Sequence, residues 1–192
     1  MPLHFTRDEF AARRRQGIAS LVARGLDGML IFRQESMYYL TGYDTFGYVF
    51  FQCLYLGADG RLFLLTRAPD LRQAQLTSDI ADIRVWVDGP DANPAAELRD
   101  MLMSWGLSGK KLGIEWDAYG LTARNGMRVQ AAFDDFATLV DASDLVSRQR
   151  LVKSASELRY VEQAAHLADL ALDEAHRLTA PGVSEAEILA AM

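Results

Sequence analysis

Arg150-Leu151-Val152-Lys153-Ser154-Ala155-Ser156-Glu157 is followed by an alanine- and leucine-rich stretch, then by Ala180-Pro181-Gly182-Val183-Ser184-Glu185. Ser154 and Glu157 stand at the spacing of a capping box, in which each residue's side chain satisfies the other's backbone N–H at a helix start. Behind them Leu158, Val161, Ala165, Leu167, Ala168, Leu172 and Leu178 recur at helical intervals, so residues 154–179 read as one long amphipathic helix. Pro181-Gly182 stops it, and Ser184-Glu185 opens another helix. The chain reaches Met192 about two turns later. An amphipathic helix has an apolar face to bury. The expectation is therefore a first domain over residues 1–146, then residues 147–192 as linker and opening helices of a truncated second domain. The exposed stripe of the long helix is expected to drive self-association.

Working back towards the N-terminus, the chain changes character. Thr6-Arg7-Asp8-Glu9 is a further capping box, and Phe10, Ile18, Leu21 and Val22 place an amphipathic helix over residues 6–24, ended by Gly25. Gly28 to Phe32 reads as a short buried strand, and Glu35 to Leu40 as a helical turn. Tyr48-Val49-Phe50-Phe51-Gln52-Cys53-Leu54-Tyr55-Leu56 is aromatic and β-branched and predicts a strand. Gly57-Ala58-Asp59-Gly60 is its hairpin turn, with residues 61–65 as the return strand. A short helix over 68–76 and a strand over 83–87 follow. Pro94 opens a helix that ends at Gly106. Residues 111–115 form a strand, 121–133 a helix, and 137–140 a last strand. Residues 141–147 read as a polar connection. This order predicts an α/β fold, a mixed β-sheet layered with helices, antiparallel at the hairpin and partly parallel elsewhere.

Composition bounds the function. Of 192 residues, 50% are hydrophobic and 24% charged, and no apolar run approaches the ~18 residues that a membrane-spanning helix needs. The N-terminal Met1 to Glu9 turns charged at once and lacks the apolar core of a secretory signal. With one cysteine, Cys53, no internal disulfide can form, and its apolar setting reads as a buried inert thiol. A cytoplasmic location is expected. The net charge is −6 and the basic residues are dispersed apart from Arg13-Arg14-Arg15, which argues against a nucleic-acid partner. No membrane partner is expected.

Metal-ligating and nucleophilic patterns are thin. His4, His166 and His176 are the three histidines. The last two lie nearly three turns apart on one helix and cannot share an ion. Asp173 and Glu174 beside His176 read as a solvated helix face. Gly25-x-x-Gly28 precedes a strand instead of opening a helix, so it is a turn and no phosphate loop.

The elements Arg150-x-x-Lys153-Ser154-x-x-Glu157 and Pro181-Gly182-Val183-Ser184-Glu185 resemble the start of the catalytic domain of the creatinase, prolidase and aminopeptidase P family. The upstream region is similar to that family's N-terminal domain, through Met29-Leu30-Ile31-Phe32, Met37-Tyr38-Tyr39-Leu40-Thr41-Gly42-Tyr43, the hairpin at 57–60 and Leu112-Gly113-Ile114-Glu115. The resemblance spans the chain. It implies a C–N hydrolase of the Xaa-Pro dipeptidase or aminopeptidase type, in which two divalent metal ions activate water. Their ligands, two aspartates, a histidine and two glutamates, belong to the catalytic domain and match no position here. The resemblance therefore implies no cofactor in this segment, two divalent metal ions in the catalytic domain, and no activity in this segment alone.

It further implies a homodimer in which this domain reaches towards the partner's active site, and a small peptide or amide substrate. The corresponding loop is Tyr43-Asp44-Thr45-Phe46-Gly47-Tyr48-Val49-Phe50. Creatinase carries an aromatic-x-Arg pair where this chain has Tyr48 and Phe50; the absent arginine argues against creatine, and an aromatic wall suits a proline-like ring. Tyr43, Phe46, Tyr48, Phe50 and Arg33 are the substrate-contact candidates. Read as strand residues, Tyr48 and Phe50 would normally pack a core; Tyr43 and Phe46, ahead of the strand, are the better placed for solvent or substrate. Arg33, after a strand end, suits a carboxylate or a surface role. The alternative to a hydrolase domain is a non-catalytic peptidase-like module that binds a protein.

Overall fold

The computed structural model describes residues 3–192. The chain divides into two compact units, the first ending at Leu151 and the second running from Val152 to Met192.

The first unit opens with α1 (Arg7–Ala23), whose N-cap Thr6 accepts the Glu9 N–H through Oγ1 at 3.2 Å. Then come β1 (Gly28–Ile31), α2 (Gln34–Thr41), a 3₁₀ turn (Gly47–Val49), β2 (Cys53–Gly57), β3 (Leu62–Arg67), a second 3₁₀ turn (Ala68–Asp70) and α3 (Leu71–Thr77). They are followed by β4 (Ile83–Trp86), α4 (Pro94–Ser104), β5 (Lys111–Ile114), α5 (Ala123–Phe133), β6 (Thr138–Asp141) and α6 (Leu145–Leu151). The six strands form one sheet in the order β4-β3-β2-β1-β5-β6. β2 is antiparallel to both its neighbours, and the remaining pairs are parallel. Five strands thus run in one direction, with β2 reversed. The expected mixed α/β layer is the observed fold.

Helices cover both faces, which explains why the central strands read as continuous apolar runs. On one face Leu30, Tyr55, Phe63 and Ile114 pack with Leu98 and Leu102 of α4 and Val129 and Phe133 of α5. On the other, Met29, Ile31, Leu54 and Leu64 pack with Leu21 of α1, Leu40 of α2, Ala74 of α3 and Leu145 of α6. β1 lies between these layers, with Leu30 opposite Tyr55 on one side and Ile114 on the other.

Two stretches depart from the expected elements. The strand expected over 48–56 starts only at Cys53. Its neighbour β1 ends at Ile31, which pairs with Leu54, so residues 48–50 have no β1 ladder to join. Locally, the Thr45 hydroxyl accepts the Gly47 N–H at 2.8 Å and Phe50 N–H donates to the Gly47 carbonyl at 2.9 Å. Side-chain-to-backbone bonds of this kind compete with extended structure. Residues 141–147 are also more than a polar connection, because α6 begins at Leu145 and buries Leu145 and Val146. The seven-residue helix has three apolar residues, Leu145, Val146 and Leu151, too few to reveal a helical period.

The second unit holds α7 (Ala155–Leu178) and α8 (Glu185–Ala191). The Ser154 box closes as its spacing predicts, with Ser154 N–H donating to Glu157 Oε2 at 2.8 Å and Glu157 N–H to Ser154 Oγ at 3.2 Å. Leu158, Val161, Leu167 and Leu172 of α7 are exposed.

Candidate functional site

The exposed aromatic rim lies at the carboxyl edge of the sheet, the edge where open α/β folds place ligands. It is built on the turn at residues 45–50. Phe46 is 88% exposed, and Tyr48 and Phe50 are each about half exposed. Apolar rings grouped on one exposed turn make it a candidate contact surface.

The backbone beneath them is firmly tied. Gln34 Nε2 donates to the Thr45 carbonyl at 2.5 Å, and the Thr45 hydroxyl donates to Asp70 Oδ1 at 3.3 Å. Gly120, between β5 and α5, approaches so closely that a Cβ there would lie 2.7 Å from the Tyr48 carbonyl oxygen. The Phe50 ring carries the Arg67 guanidinium 3.7 Å from its centroid, and Arg67 is itself held by Asp88 through Nε at 3.0 Å and Nη2 at 2.8 Å. Tyr48, with Gln34, Glu35, Tyr119 and Gly120, lines an open cavity of about 360 Å³.

Of the sequence-predicted candidates, Phe46, Tyr48 and Phe50 share this exposed turn. Tyr43 does not. It is fully buried, and its hydroxyl donates to Gln52 Oε1 at 2.8 Å and lies 3.4 Å from Thr66 Oγ1. Burial raises the phenol's ionisation above its ordinary range. Gly42 explains the inward turn: at φ +82° it ends α2 in the left-handed conformation and redirects the chain. Arg33 is engaged within the unit, with one guanidinium nitrogen on Ser147 Oγ at 2.6 Å and another paired with Asp117.

Four cavity residues were not anticipated: Gln34, Glu35, Tyr119 and Gly120. The signal for Tyr119 is its place in a βα loop after a parallel strand, where function concentrates. A further unanticipated residue, Glu115, directly follows β5 as a fully buried acid. Its Oε2 accepts the backbone N–H groups of Phe32 at 3.0 Å and Arg33 at 2.8 Å, and its Oε1 accepts the Ser36 hydroxyl at 2.6 Å. Burial pushes its pKa up to about 7, against the opposing pull of these donors and of the Arg33 charge. The carboxyl thereby anchors the start of α2, the helix that carries Gln34 and Glu35. Cys53 is buried, and burial raises its thiol well above the ordinary range. Among the described residues no group of three or more His, Cys, Asp or Glu side chains is placed to hold a metal ion. No helix among them is long and apolar enough to cross a membrane.

Comparison with known proteins agrees with this architecture. The family described as Creatinase/Prolidase N-terminal domain matches residues 13–152. The chain is 29% identical to an uncharacterized hydrolase/peptidase, y4tM, of Sinorhizobium fredii, over 99% of this chain and 50% of that protein. It is 28% identical to an ectoine hydrolase of Halomonas elongata, over 86% of this chain and 43% of that protein. The chain thus spans about half the length of these relatives. A solved dipeptidase of Pyrococcus horikoshii superposes with a TM-score of 0.73 at 26% identity, covering 92% of this chain and 47% of that one. The chain belongs to the creatinase/prolidase N-terminal domain family.

Proposed function

We propose that this creatinase/prolidase-type N-terminal domain is the non-catalytic part of a dinuclear-metal C–N hydrolase of the Xaa-Pro dipeptidase or aminopeptidase kind. In this reading it supplies dimer contacts and one wall of a substrate pocket. The single observation that carries the reading is the aromatic rim of Phe46, Tyr48 and Phe50, exposed on a turn whose backbone is pinned by Gln34, Asp70 and Gly120. A rigid backbone presenting apolar rings to solvent is pre-organised for contact, because little ordering entropy remains to be lost on binding. Such a wall suits a compact apolar ring such as proline. The two divalent ions of the hydrolase are assigned to a catalytic domain beyond these residues.

The test is hydrolysis of Xaa-Pro dipeptides with added divalent metal ions, by the 192-residue chain and by the full-length gene product. The expected result is turnover by the full-length protein alone. Phe46→Ala and Tyr48→Ala in that protein lower kcat/KM by about tenfold, comparable to the loss of one good contact. Light scattering of the full-length protein checks the dimer. Unchanged kcat/KM in both variants would remove the rim from the substrate wall.

A further inference from the structure

A second concavity, of about 320 Å³, lies between the β4–α4 loop and the first turns of α5. Phe50, Trp86, Pro90 and Pro94 give it apolar walls, and Arg124 and Arg128 face it from α5. We propose that it binds a small organic carboxylate, the two guanidinium groups holding the carboxylate and the walls holding its apolar body.

The charges carry the inference. Arg124 and Arg128 are one turn apart on α5, where like charges repel. Arg124 also sits in the first helical turn, where the helix dipole disfavours a cation, and that turn contains no acid. Along the chain the acids flanking α5 are Asp117, which precedes the helix and pairs with Arg33, and Asp134 and Asp135, which lie past its other end. Among the described residues neither arginine donates to a carboxylate, hydroxyl or carbonyl. Elsewhere the chain, with its net charge of −6, pairs arginines readily, as in Arg14–Asp79, Arg24–Asp144 and Arg84–Asp82. Two uncompensated guanidinium groups are thus directed at a cleft by a helix that they do not stabilise.

The rest of the lining leaves them available. Asp88 is the acid at the cleft, and Arg67 already holds its carboxylate in two hydrogen bonds. The Trp86 indole N–H is taken by the Phe51 carbonyl at 3.0 Å, so the indole offers its apolar ring. The Phe50 ring is fixed by Arg67. A carboxylate matches the planar guanidinium fork with two oxygens. Asn125 also lines the cleft, but inorganic phosphate has no apolar body to cover the proline and aromatic walls, and their burial favours a carboxylate that carries one. The volume is at the lower end of small-molecule sites, which limits the ligand to about the size of one ring. The cleft shares Phe50 with the aromatic rim, but its carboxylate binding does not require the peptidase reading.

Benzoate is the probe, titrated into the ¹⁵N-labelled 192-residue chain at constant ionic strength, with benzamide as its neutral counterpart and inorganic phosphate as its ring-free one. The Trp86 indole and the backbone amides of residues 124–128 should shift saturably with benzoate. Benzamide and phosphate should each bind about tenfold more weakly or less. The double substitution R124A/R128A should weaken benzoate by at least about tenfold without lowering the thermal midpoint of the free protein, because alanine removes the repulsion and favours the helix. Absence of saturable shifts at these positions overturns the proposal. So does an equal response to benzamide or to phosphate, or undiminished binding by the double variant. The three-ligand comparison uses the unmodified chain, so it decides even if the double variant does not fold.

Discussion

The Glu115 carboxylate accepts the backbone N–H of Arg33 at 2.8 Å from a position with no solvent exposure. This joins the end of β5 to the start of α2 and so fixes one side of the 360 Å³ cavity. Because burial holds the carboxyl's pKa near 7, above its ordinary 4.5, the folded state binds a proton that the unfolded state releases. The contribution of the protonated form to stability is fully present below about pH 4.5 and is lost as pH rises through about 7.

Glu115→Gln keeps a neutral acceptor and removes this titration. The stability difference between the parent and E115Q should therefore move in favour of E115Q by roughly 2–3 kcal/mol between pH 4.5 and pH 8. Urea denaturation across that range checks it, and taking the difference cancels the other titrating groups. A pH-independent difference would show that burial leaves the Glu115 pKa at its ordinary value.

Gly120→Ala should destabilise by about 1–3 kcal/mol, the usual cost of forcing atoms into a packed site. Its Cβ would meet the Tyr48 carbonyl oxygen at 2.7 Å and the Phe32 carbonyl oxygen at 3.3 Å. Thermal denaturation measures the loss, and amide shifts at residues 46–50 should report displacement of the turn.

The rim itself should be nearly neutral to folding. Phe46→Ala is expected to change stability by no more than about 0.5 kcal/mol, as for other exposed positions. Leu30→Ala, at a fully buried position in β1, should cost about 2–5 kcal/mol. Denaturant midpoints of the two variants check the contrast, which separates a surface kept for contact from one kept for packing.

Much of the fold was legible because local signals agreed. Capping residues Thr6 and Ser154, proline at the start of α4 and glycine past helix ends locate the helices, and the apolar run over 28–32 and the short stretch Lys111-Leu112-Gly113-Ile114-Glu115 locate doubly covered strands. The site was less legible, because exposure is a tertiary property. Tyr43 and Phe46 look alike in the sequence, yet one hydrogen-bonds Gln52 inside the core and the other projects into water. What separates them is the inward turn at Gly42 and the Thr45–Asp70 contact across 25 residues. The early end of β2 was hidden for a related reason. An aromatic run extends as a strand only as far as a neighbour lies beside it, and β1 stops at Ile31.

Asp144 pairs with Arg24 through two hydrogen bonds of 2.6 and 3.0 Å and with Arg148 at 2.5 Å. These cations hold its carboxyl well below the usual range. With about half of the side chain exposed, solvent screens the attraction, so Asp144→Ala should cost less than about 1 kcal/mol. The cost should shrink further in 1 M salt. Stability measured at low and high salt checks both points.

The central claim is that the chemistry of bond cleavage resides outside these 192 residues, while Phe46 and Tyr48 help to shape where the substrate lies. Steady-state hydrolysis of an Xaa-Pro dipeptide by the purified 192-residue chain, saturated with divalent metal ions, tests it most directly. The account predicts a rate indistinguishable from buffer containing the metal alone. Metal-dependent turnover by this chain, abolished by a chelator and restored on adding the ion back, would contradict it.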